Sequence, residues 1–449
     1  MVIDPLREVQ TYIDKASRSN AVIKYVFETH FHADFVSGHL DLAKNTGATI
    51  VYGPTAQPGF AAKVAADGEL IKVGRISFQV LHTPGHTMES TCYLLKDENG
   101  KDTALFTGDT LFIGDVGRPD LAQKIIPSLT QDKLAGYLFD SLRNKIMPLA
   151  DDIIVYPAHG EGSACGKNMS KEHSDTLGNQ KAHNYALRKN MTKDEFIREV
   201  LSGLVPPPAY FPLNVLLNIK GYDSITDVIK RGTQALSPDA FEAAATESGA
   251  VILDTRKAEI FSKGFVPNAI NIGIDGNFAP WVGTLIPDIK QEILLITEPG
   301  REEEVVTRLA RVGYDHSIGY LKGGFEAWKA EGKQIDTIDS ITVAALANIK
   351  ELNPRLTLLD TRKKSEYDAE HIVGAENVPL DFINDNMQLL NKERISYVHC
   401  AGGYRSMIFI SILKARGYDK LVNVEGGFKG MKESKRFAIT DYVAPLTAL

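Results

Sequence analysis

The second half of this 449-residue chain states one pattern twice. LDTRKAEIF at Leu253–Phe261 returns as LDTRKKSEY at Leu359–Tyr367, with Asp254 and Asp360 standing 106 residues apart. NAINI at Asn268–Ile272 matches GAENV at Gly374–Val378 at that same offset. LKGGFEAW at Leu321–Trp328 matches VEGGFKGM at Val424–Met431 at an offset of 103. Three matches in one order, at nearly one spacing, mean two copies of a domain rather than a solenoid. Each copy alternates apolar strand-like runs with helix-like stretches, so each is expected to be a small doubly wound parallel sheet.

The first half has a different rhythm. AVIKYVFE, ATIVYG, RISFQVLH, TALFTGD and DIIVYPAHG read as strands. Asp34–Thr46 and Ser128–Lys145 read as helices between them, so a layered α/β or α+β domain is expected. From Gly160 to about Ile219 the chain reads as a connecting region. Its proline-rich run, Leu204–Pro212, is expected to be neither helix nor central strand. The expected domains are 1–225, 226–336 and 337–449. Charged residues at 24% and hydrophobic residues at 43% exclude a largely disordered chain. With Lys+Arg 50 against Asp+Glu 57, there is no basic field to hold nucleic acid or an anionic membrane. No apolar stretch reaches the roughly 20 residues that span a bilayer. The start, MVIDPLREVQ, lacks the pattern of a secretory signal. Three cysteines, Cys92, Cys165 and Cys400, are too few for a disulfide scaffold and point to a reduced, cytoplasmic setting.

Four strand ends of the first domain deliver histidine or aspartate. ETHFHADF carries His30, His32 and Asp34; TPGHT carries His86; TGDT carries Asp109; YPAHG carries His159. Imidazole and carboxylate together are the ligands of a divalent cation such as zinc or iron. Residues gathered at strand ends form one site. This pattern resembles the metallo-β-lactamase fold, which implies two sheets packed face to face with helices outside and a metal at one edge. The common hydrolase pattern of that family is H-x-H-x-D-H, and here Phe35 replaces its last histidine, so a fully occupied second metal is not expected. The run with G-R-P-D at Gly117–Asp120 looks like the persulfide dioxygenases. That resemblance implies one Fe(II) per chain held by His30, His86 and Asp109, a two-histidine, one-carboxylate face with open positions. His32, Asp34 and His159 would then orient the ligands and bound water. Zinc, bound also by His32 and His159, is the alternative. Arg118 is expected either to anchor the anionic end of a thiol carrier or to form a structural ion pair. Relatives carry a hairpin before the segment matching VIDPLREVQ, roughly 25–30 residues with its turns. This chain begins at that segment, so the pair is expected either to be replaced elsewhere or to be cut away, and a lost edge pair would expose backbone groups and weaken the first domain.

The last domain carries YVHCAGGYRS, Tyr397–Ser406. A strand ending at about Val398 and a helix from Ser406 put Cys400 on a strand-to-helix turn. Backbone N–H groups there stabilise a thiolate or an anion. Gly402 and Gly403 let the loop curl. The C-x-G-x-x-R form, with D-T-R upstream and E-G-G-F downstream, resembles the rhodanese sulfurtransferases. That implies Cys400 as the nucleophile holding a sulfane sulfur, with Ala401, Gly402, Gly403, Tyr404, Arg405 and Ser406 as substrate-binding loop. In the middle copy Thr297 stands near the cysteine position, with a loop read as shorter, so that copy resembles an inactive rhodanese and its Asp254–Arg256 motif is structural. Cys165, in HGEGSACGK, is either an accessory thiol beside the metal pocket or a small turn residue. Cys92, in TCYLL, reads as core.

The fold class expected is thus α/β: a metallo-β-lactamase sandwich followed by two rhodanese-like domains. The whole resembles bacterial persulfide dioxygenase–sulfurtransferase fusions of sulfide detoxification. The resemblance implies oxidation of a low-molecular-weight thiol persulfide (glutathione, coenzyme A or another carrier) by O2 to sulfite, and sulfur transfer that forms or uses thiosulfate. It also implies a homo-oligomer, dimer or tetramer. Two alternatives stand beside it: a zinc-dependent, glyoxalase-II-like thioester hydrolase fused to a sulfurtransferase, and a non-catalytic sulfur-relay carrier.

Overall fold

The computed structural model describes residues 1–121, 128–167, 169–204 and 206–443. Val205, within the proline-rich run, and residues 444–449 of the third expected domain lie outside the described residues. The chain divides into two compact units. The first takes Met1–Ile225 with Ala310–Gly313, and the second takes Thr226–Leu309 and the described residues from Tyr314 onward.

The first unit holds two sheets. One has four parallel strands in the order Val2–Ile3, Tyr25–Phe27, Thr49–Tyr52, Lys63–Val64. The other has six, in the order Asp175–Thr176, Ile154–Pro157, Asp102–Gly108, Thr91–Lys96, Ile76–His82, Leu70–Val73. The period of two along each strand sorts the apolar side chains into layers. Phe27, Val51, Phe78, Val80 and Tyr93 share one cluster between the sheets. Their neighbours Val26, Ile50 and Tyr52 face an outer layer with residues of the helices Gln10–Arg18 and His39–Thr46. On the far side Cys92, Leu94 and Leu105 pack with Ala135, Leu138 and Phe196 in helices Gln131–Ser141 and Lys193–Leu201. Cys92 is therefore core, and burial pushes its thiol up to about 11.

Two expectations need correction here. The helix read over Asp34–Thr46 begins only at His39, after Gly38; the residues before it turn to present the metal-site side chains. The region after Gly160 is not a passive connector. It forms helices Leu177–His183, Lys193–Leu201 and Phe211–Lys220, and Phe196 and Val200 are buried in the core. Pro212 enters the first helical turn, where its missing N–H has no helical partner to lose.

In the second unit each repeat forms a five-stranded, all-parallel sheet. The first is ordered Ala235–Leu236, Ser317–Leu321, Ile293–Ile296, Val251–Asp254, Ile270–Asn271. The second is ordered Ser340–Ile341, Leu421–Val424, Ser396–His399, Thr357–Asp360, Glu376–Asn377. The repeated motifs lock together in the same way in both. Arg256 forks onto Asp254 at 2.6–3.0 Å, and Arg362 onto Asp360 at the same distances. The phenylalanine of each GGF motif lies under that arginine, Phe325 at 4.5 Å and Phe428 at 3.9 Å. A cation buried among apolar strands needs a carboxylate and gains from an aromatic face. That requirement is why D-T-R and G-G-F recur as a pair.

Candidate metal centre and thiol site

His30, His86 and Asp109 come together, each offering a donor atom within 4.8 Å of the others, and all three are buried. His86 Nε2 lies 3.3 Å and His30 Nε2 3.9 Å from Asp109 Oδ2. The second nitrogen of each imidazole is already engaged. His86 Nδ1–H donates to the Arg118 carbonyl at 2.8 Å. His30 Nδ1 meets the Thr29 hydroxyl at 2.9 Å, and that hydroxyl in turn donates to Asp4 at 2.8 Å. A carbonyl only accepts, so His86 keeps its lone pair on Nε2; the Thr29 relay favours the same tautomer for His30. Asp109 follows Gly108, whose φ of +50° and close approach to Thr29 leave no room for a side chain.

No hydrogen bond among the described residues reaches Nε2 of His30, His86 or His159, or either oxygen of Asp109. Buried polar atoms are normally satisfied, so this convergence of bare donors fits a cation. Burial, and then the nearby His32, His86 and His159 rings, hold His30 well below the ordinary histidine pKa. A neutral imidazole is the state that binds metal.

His32 lies elsewhere in the network. Its Nε2 sits 3.1 Å from Asp4 and 3.4 Å from Glu28. Burial opposes its charge, but those two carboxylates outweigh it and hold the ring well above its usual pKa. Glu28 is held at about 2, against its own burial, by His32 and His39. The Asp4, Glu28 and His39 partners were not singled out from sequence. The one signal was a glutamate directly ending an apolar strand. Asp34 Oδ2 and Asp109 Oδ1 flank His159 Nε2 at 3.3 and 3.4 Å. Burial opposes protonation of His159, and Asp109 and Asp34 raise its pKa nevertheless. Phe35 packs beside His32 with the two rings tilted and their centroids 4.3 Å apart.

Arg118, expected as a carrier anchor or an ion pair, is buried with its guanidinium forked onto Asp120, both contacts at 2.7 Å, and a third N–H on the Ala164 carbonyl at 3.2 Å. Its backbone N–H donates to the Cys165 carbonyl at 2.9 Å. One residue thus ties His86 and the Cys165 turn together. Cys165 is 1% exposed and lies in a cluster with Asp34 and His159. Burial, then the Asp34 and Asp109 carboxylates, push its thiol well above the ordinary range.

In the second unit, Cys400 directly follows the strand Ser396–His399 and precedes the helix Tyr404–Lys414. The Gly403 N–H donates to its Sγ at 3.1 Å, and the Ser406 hydroxyl lies 3.7 Å away, itself bonded to Asn423 at 2.9 Å. Phe428 N–H donates to the Cys400 carbonyl at 2.7 Å and Lys429 N–H to that of Ala401 at 3.2 Å. Gly402, Gly403 and Tyr404 line a cleft of about 950 Å³ together with Lys257, Lys263 and Gly273 of the preceding copy. Tyr404 donates its hydroxyl to the Gly273 carbonyl at 2.8 Å. Arg405 forms a two-pronged pair with Glu366 at 2.5 and 2.9 Å. In the first copy, the backbone bond from Thr255 to Ile296 matches that from Thr361 to His399, which places Thr297 at the cysteine position. The loop there is not shorter, as read from sequence, but one residue longer: five residues precede the helix Glu302–Ala310, against four before Tyr404–Lys414.

Residues 1–159 match the family model described as the metallo-beta-lactamase superfamily. Residues 237–331 and 342–434 each match that of the rhodanese-like domain. A crystal structure of a metallo-beta-lactamase from Staphylococcus aureus subsp. aureus COL is 32% identical, covers 71% of this chain and 90% of its own, and has a TM-score of 0.62. A probable hydroxyacylglutathione hydrolase from Schizosaccharomyces pombe is 29% identical over 161 residues, 35% of this chain; the chain spans only 57% of that relative's length. The ETHE1 structure from Myxococcus xanthus is 29% identical over 49% of this chain and 86% of that one, with a TM-score of 0.41. Among the described residues, no helix is long and apolar enough to cross a membrane.

Proposed function

Because the chain belongs to the metallo-β-lactamase superfamily and carries two rhodanese-like domains behind that fold, we propose that it is a persulfide dioxygenase joined to a sulfurtransferase. One observation carries the reading: the bare, buried donor set of His30, His86 and Asp109 stands on the same chain as a thiol in a sulfur-type loop. Two imidazoles and one carboxylate suit Fe(II), which when bound would supply open positions for a substrate sulfur and dioxygen. The protein's part is to hold both imidazoles in the tautomer that presents Nε2, through Arg118 and the Thr29–Asp4 relay. The overall change is RSSH + O2 + H2O → RSH + H2SO3, in which the sulfane sulfur is oxidised and O2 is reduced.

Cys400 thiolate then attacks the sulfane sulfur of a second persulfide. A Cys–S–S bond forms, the carrier's S–S bond breaks, and the carrier leaves as thiolate. Sulfite attacks the outer sulfur of Cys400, giving thiosulfate and restoring the thiolate. The exchange runs in either direction. Gly403 N–H stabilises the anion at each stage. On this reading the carrier is glutathione, coenzyme A or another small thiol, the setting is cytoplasmic and the chain works as a dimer or tetramer.

A second reading has a specific support, the likeness to hydroxyacylglutathione hydrolases. It takes zinc in place of iron and cleaves a thioester. Metal analysis with O2 uptake on glutathione and coenzyme A persulfides separates the two. Iron and persulfide-dependent uptake are expected; zinc with thioester cleavage in the absence of oxygen would sink the dioxygenase. Asp109→Ala should remove the metal and lower O2 uptake by more than the ~10–100-fold that loss of an outer partner brings. Full uptake in that variant would remove Asp109 from the ligand set.

A further inference from the structure

The middle of the Cys400 loop has little to pack on. Ala401 and Gly402 are exposed, and among the described residues only chain neighbours stand within 4 Å of where a Cβ on Gly402 or Gly403 would lie. Gly403, whose N–H reaches Cys400 Sγ at 3.1 Å, has a φ of +115° and is followed at once by Tyr404. Tyr404 reaches into the first copy, where its hydroxyl donates to the Gly273 carbonyl at 2.8 Å. We infer that Tyr404, seated in the Gly273–Gly276 turn of the first copy, is a positioning residue that fixes the Gly403 N–H against the Cys400 thiol. The copy without a cysteine thereby supports the thiol of the other. The role rests on the sulfurtransferase reading for the reaction it serves, but not for the contact itself.

Three observations support the seat. First, two glycines make room for the ring. A Cβ on Gly276 would stand 2.4 Å from Tyr404 Cε2 and Cζ and 2.8 Å from its hydroxyl, and one on Gly273 would stand 3.3 Å from Cε2. Neither glycine has a positive φ, so the missing side chain serves the ring and not the backbone. Second, the helix behind Tyr404 is fastened to the same edge. Ser411, about two turns along, is buried and accepts the Asn271 backbone N–H at 2.9 Å, which covers the end strand Ile270–Asn271 of the first sheet. Third, the turn is braced from within the first copy. Arg301, in the loop that lacks the cysteine, binds Asp275 at 2.8 Å, and Arg308 donates to the Ile274 carbonyl at 2.6 Å. Burial pushes the Tyr404 hydroxyl above the ordinary tyrosine range, so it remains a donor. A glycine-rich loop has much freedom to lose, and fixing the residue next to Gly403 removes it before substrate arrives.

The test uses the full chain with thiosulfate and cyanide. Cys400 thiolate takes the sulfane sulfur as the S–S bond of thiosulfate breaks and sulfite leaves, and cyanide then removes that sulfur as thiocyanate. Gly276→Ala, a change in the other copy, should lower kcat by ~10-fold or more with KM little changed, because the thiol is displaced. Tyr404→Phe keeps the ring and loses one hydrogen bond, so it should cost less, up to ~10-fold, and it decides the point if Gly276→Ala fails to fold. In Tyr404→Ala the ring is gone, and adding Gly276→Ala should cost nothing more. Hydrogen exchange of the peptide 401–406 should be faster in Gly276→Ala and in Tyr404→Phe than in the wild type. Wild-type kcat in both variants, a raised KM with kcat unchanged, or an equal cost of Gly276→Ala with and without the Tyr404 ring would overturn the proposal. A wild type that transfers no sulfur sinks the sulfurtransferase reading, and loop exchange then decides alone: unchanged exchange in both variants sinks the positioning role, and faster exchange upholds it.

Discussion

The two repeats of the second unit share a skeleton and differ in chemistry. Asp254–Arg256 and Asp360–Arg362 are superimposable in their bonds, and Asn271 and Asn377 each donate to the same two carbonyls of their motif at 2.9–3.0 Å. At the strand-to-helix turn the likeness stops. Cys400 Sγ receives the Gly403 N–H, whereas Thr297 Oγ1 is buried without a partner among the described residues. The loop there is one residue longer, and Arg301 is drawn to Asp275 and Glu304. What both copies keep is what the sheet needs; what only one keeps is a thiol on the strand-to-helix turn that receives a backbone N–H.

The largest effect should come from breaking that difference. Cys400→Ser should lower thiosulfate formation by ~1,000-fold or more, as loss of a nucleophile does, while persulfide-dependent O2 uptake persists. Adding Thr297→Cys should restore nothing, because the longer loop already leaves the side chain at 297 without the backbone bond that Gly403 gives Cys400. Thiosulfate assays on both variants decide it; rescue would mean that the first copy is only one residue from activity.

The shared skeleton predicts equality. Asp254→Ala and Asp360→Ala each leave a buried guanidinium without its carboxylate. Each should destabilise its copy by about 3–5 kcal/mol, read by urea unfolding. A loss confined to Asp360 would show that the first copy is held together differently.

How legible these features were depended on how locally they are encoded. Cys400 could be read because strand, nucleophile, two glycines and helix are adjacent in the chain. His30, His86 and Asp109 could be read because each follows an apolar strand; Ile76–His82 and Asp102–Gly108 both pair antiparallel with Thr91–Lys96 and so run the same way, ending at one edge. The partners that orient them could not be read so. Asp4 reaches His30 only through Thr29, and Arg118 acts through its carbonyl, a group every residue carries. Cys165 meets Asp34 across 131 residues of chain, a distance no motif spans. The loop of the first copy was misjudged because its length depends on where the helix starts. The N-terminal turns carry no strong cap: Arg301, not a serine or aspartate, accepts the first helical bond, from Val305.

A smaller asymmetry lies beneath the turns. Gly427 and Gly324 both have positive φ, +54° and +63°. A Cβ on Gly427 would stand 2.4 Å from the Cys400 carbonyl oxygen, whereas one on Gly324 would stand 3.3 Å from that of Thr297. Left-handed strain alone costs about 1–2 kcal/mol for alanine. Gly324→Ala should show about that loss in thermal unfolding and leave sulfur transfer intact. Gly427→Ala should lose more and slow transfer too, since the Cys400 carbonyl must move. Equal transfer rates in the two variants would detach the GGF turn from the thiol.

The smallest expected effect concerns a pair that only the Cys400 copy has. Glu366 binds Arg405, and the matching position 106 residues earlier is Ile260. Burial works against the Glu366 charge, but Arg405 prevails and holds its pKa below the ordinary glutamate value. A carboxylate with a lowered folded pKa stabilises the fold above its unfolded pKa, about 4.3, and loses that contribution as pH falls through the folded value. With Glu366 about a third exposed, the pair is worth no more than about 1 kcal/mol. Glu366→Gln should therefore lower the melting temperature slightly at pH 7, and the gap to wild type should close below about pH 4. A gap that stays constant with pH would mean that Glu366 acts by packing. Its place beside Arg405 would then be part of the common skeleton rather than of the chemistry that separates the copies.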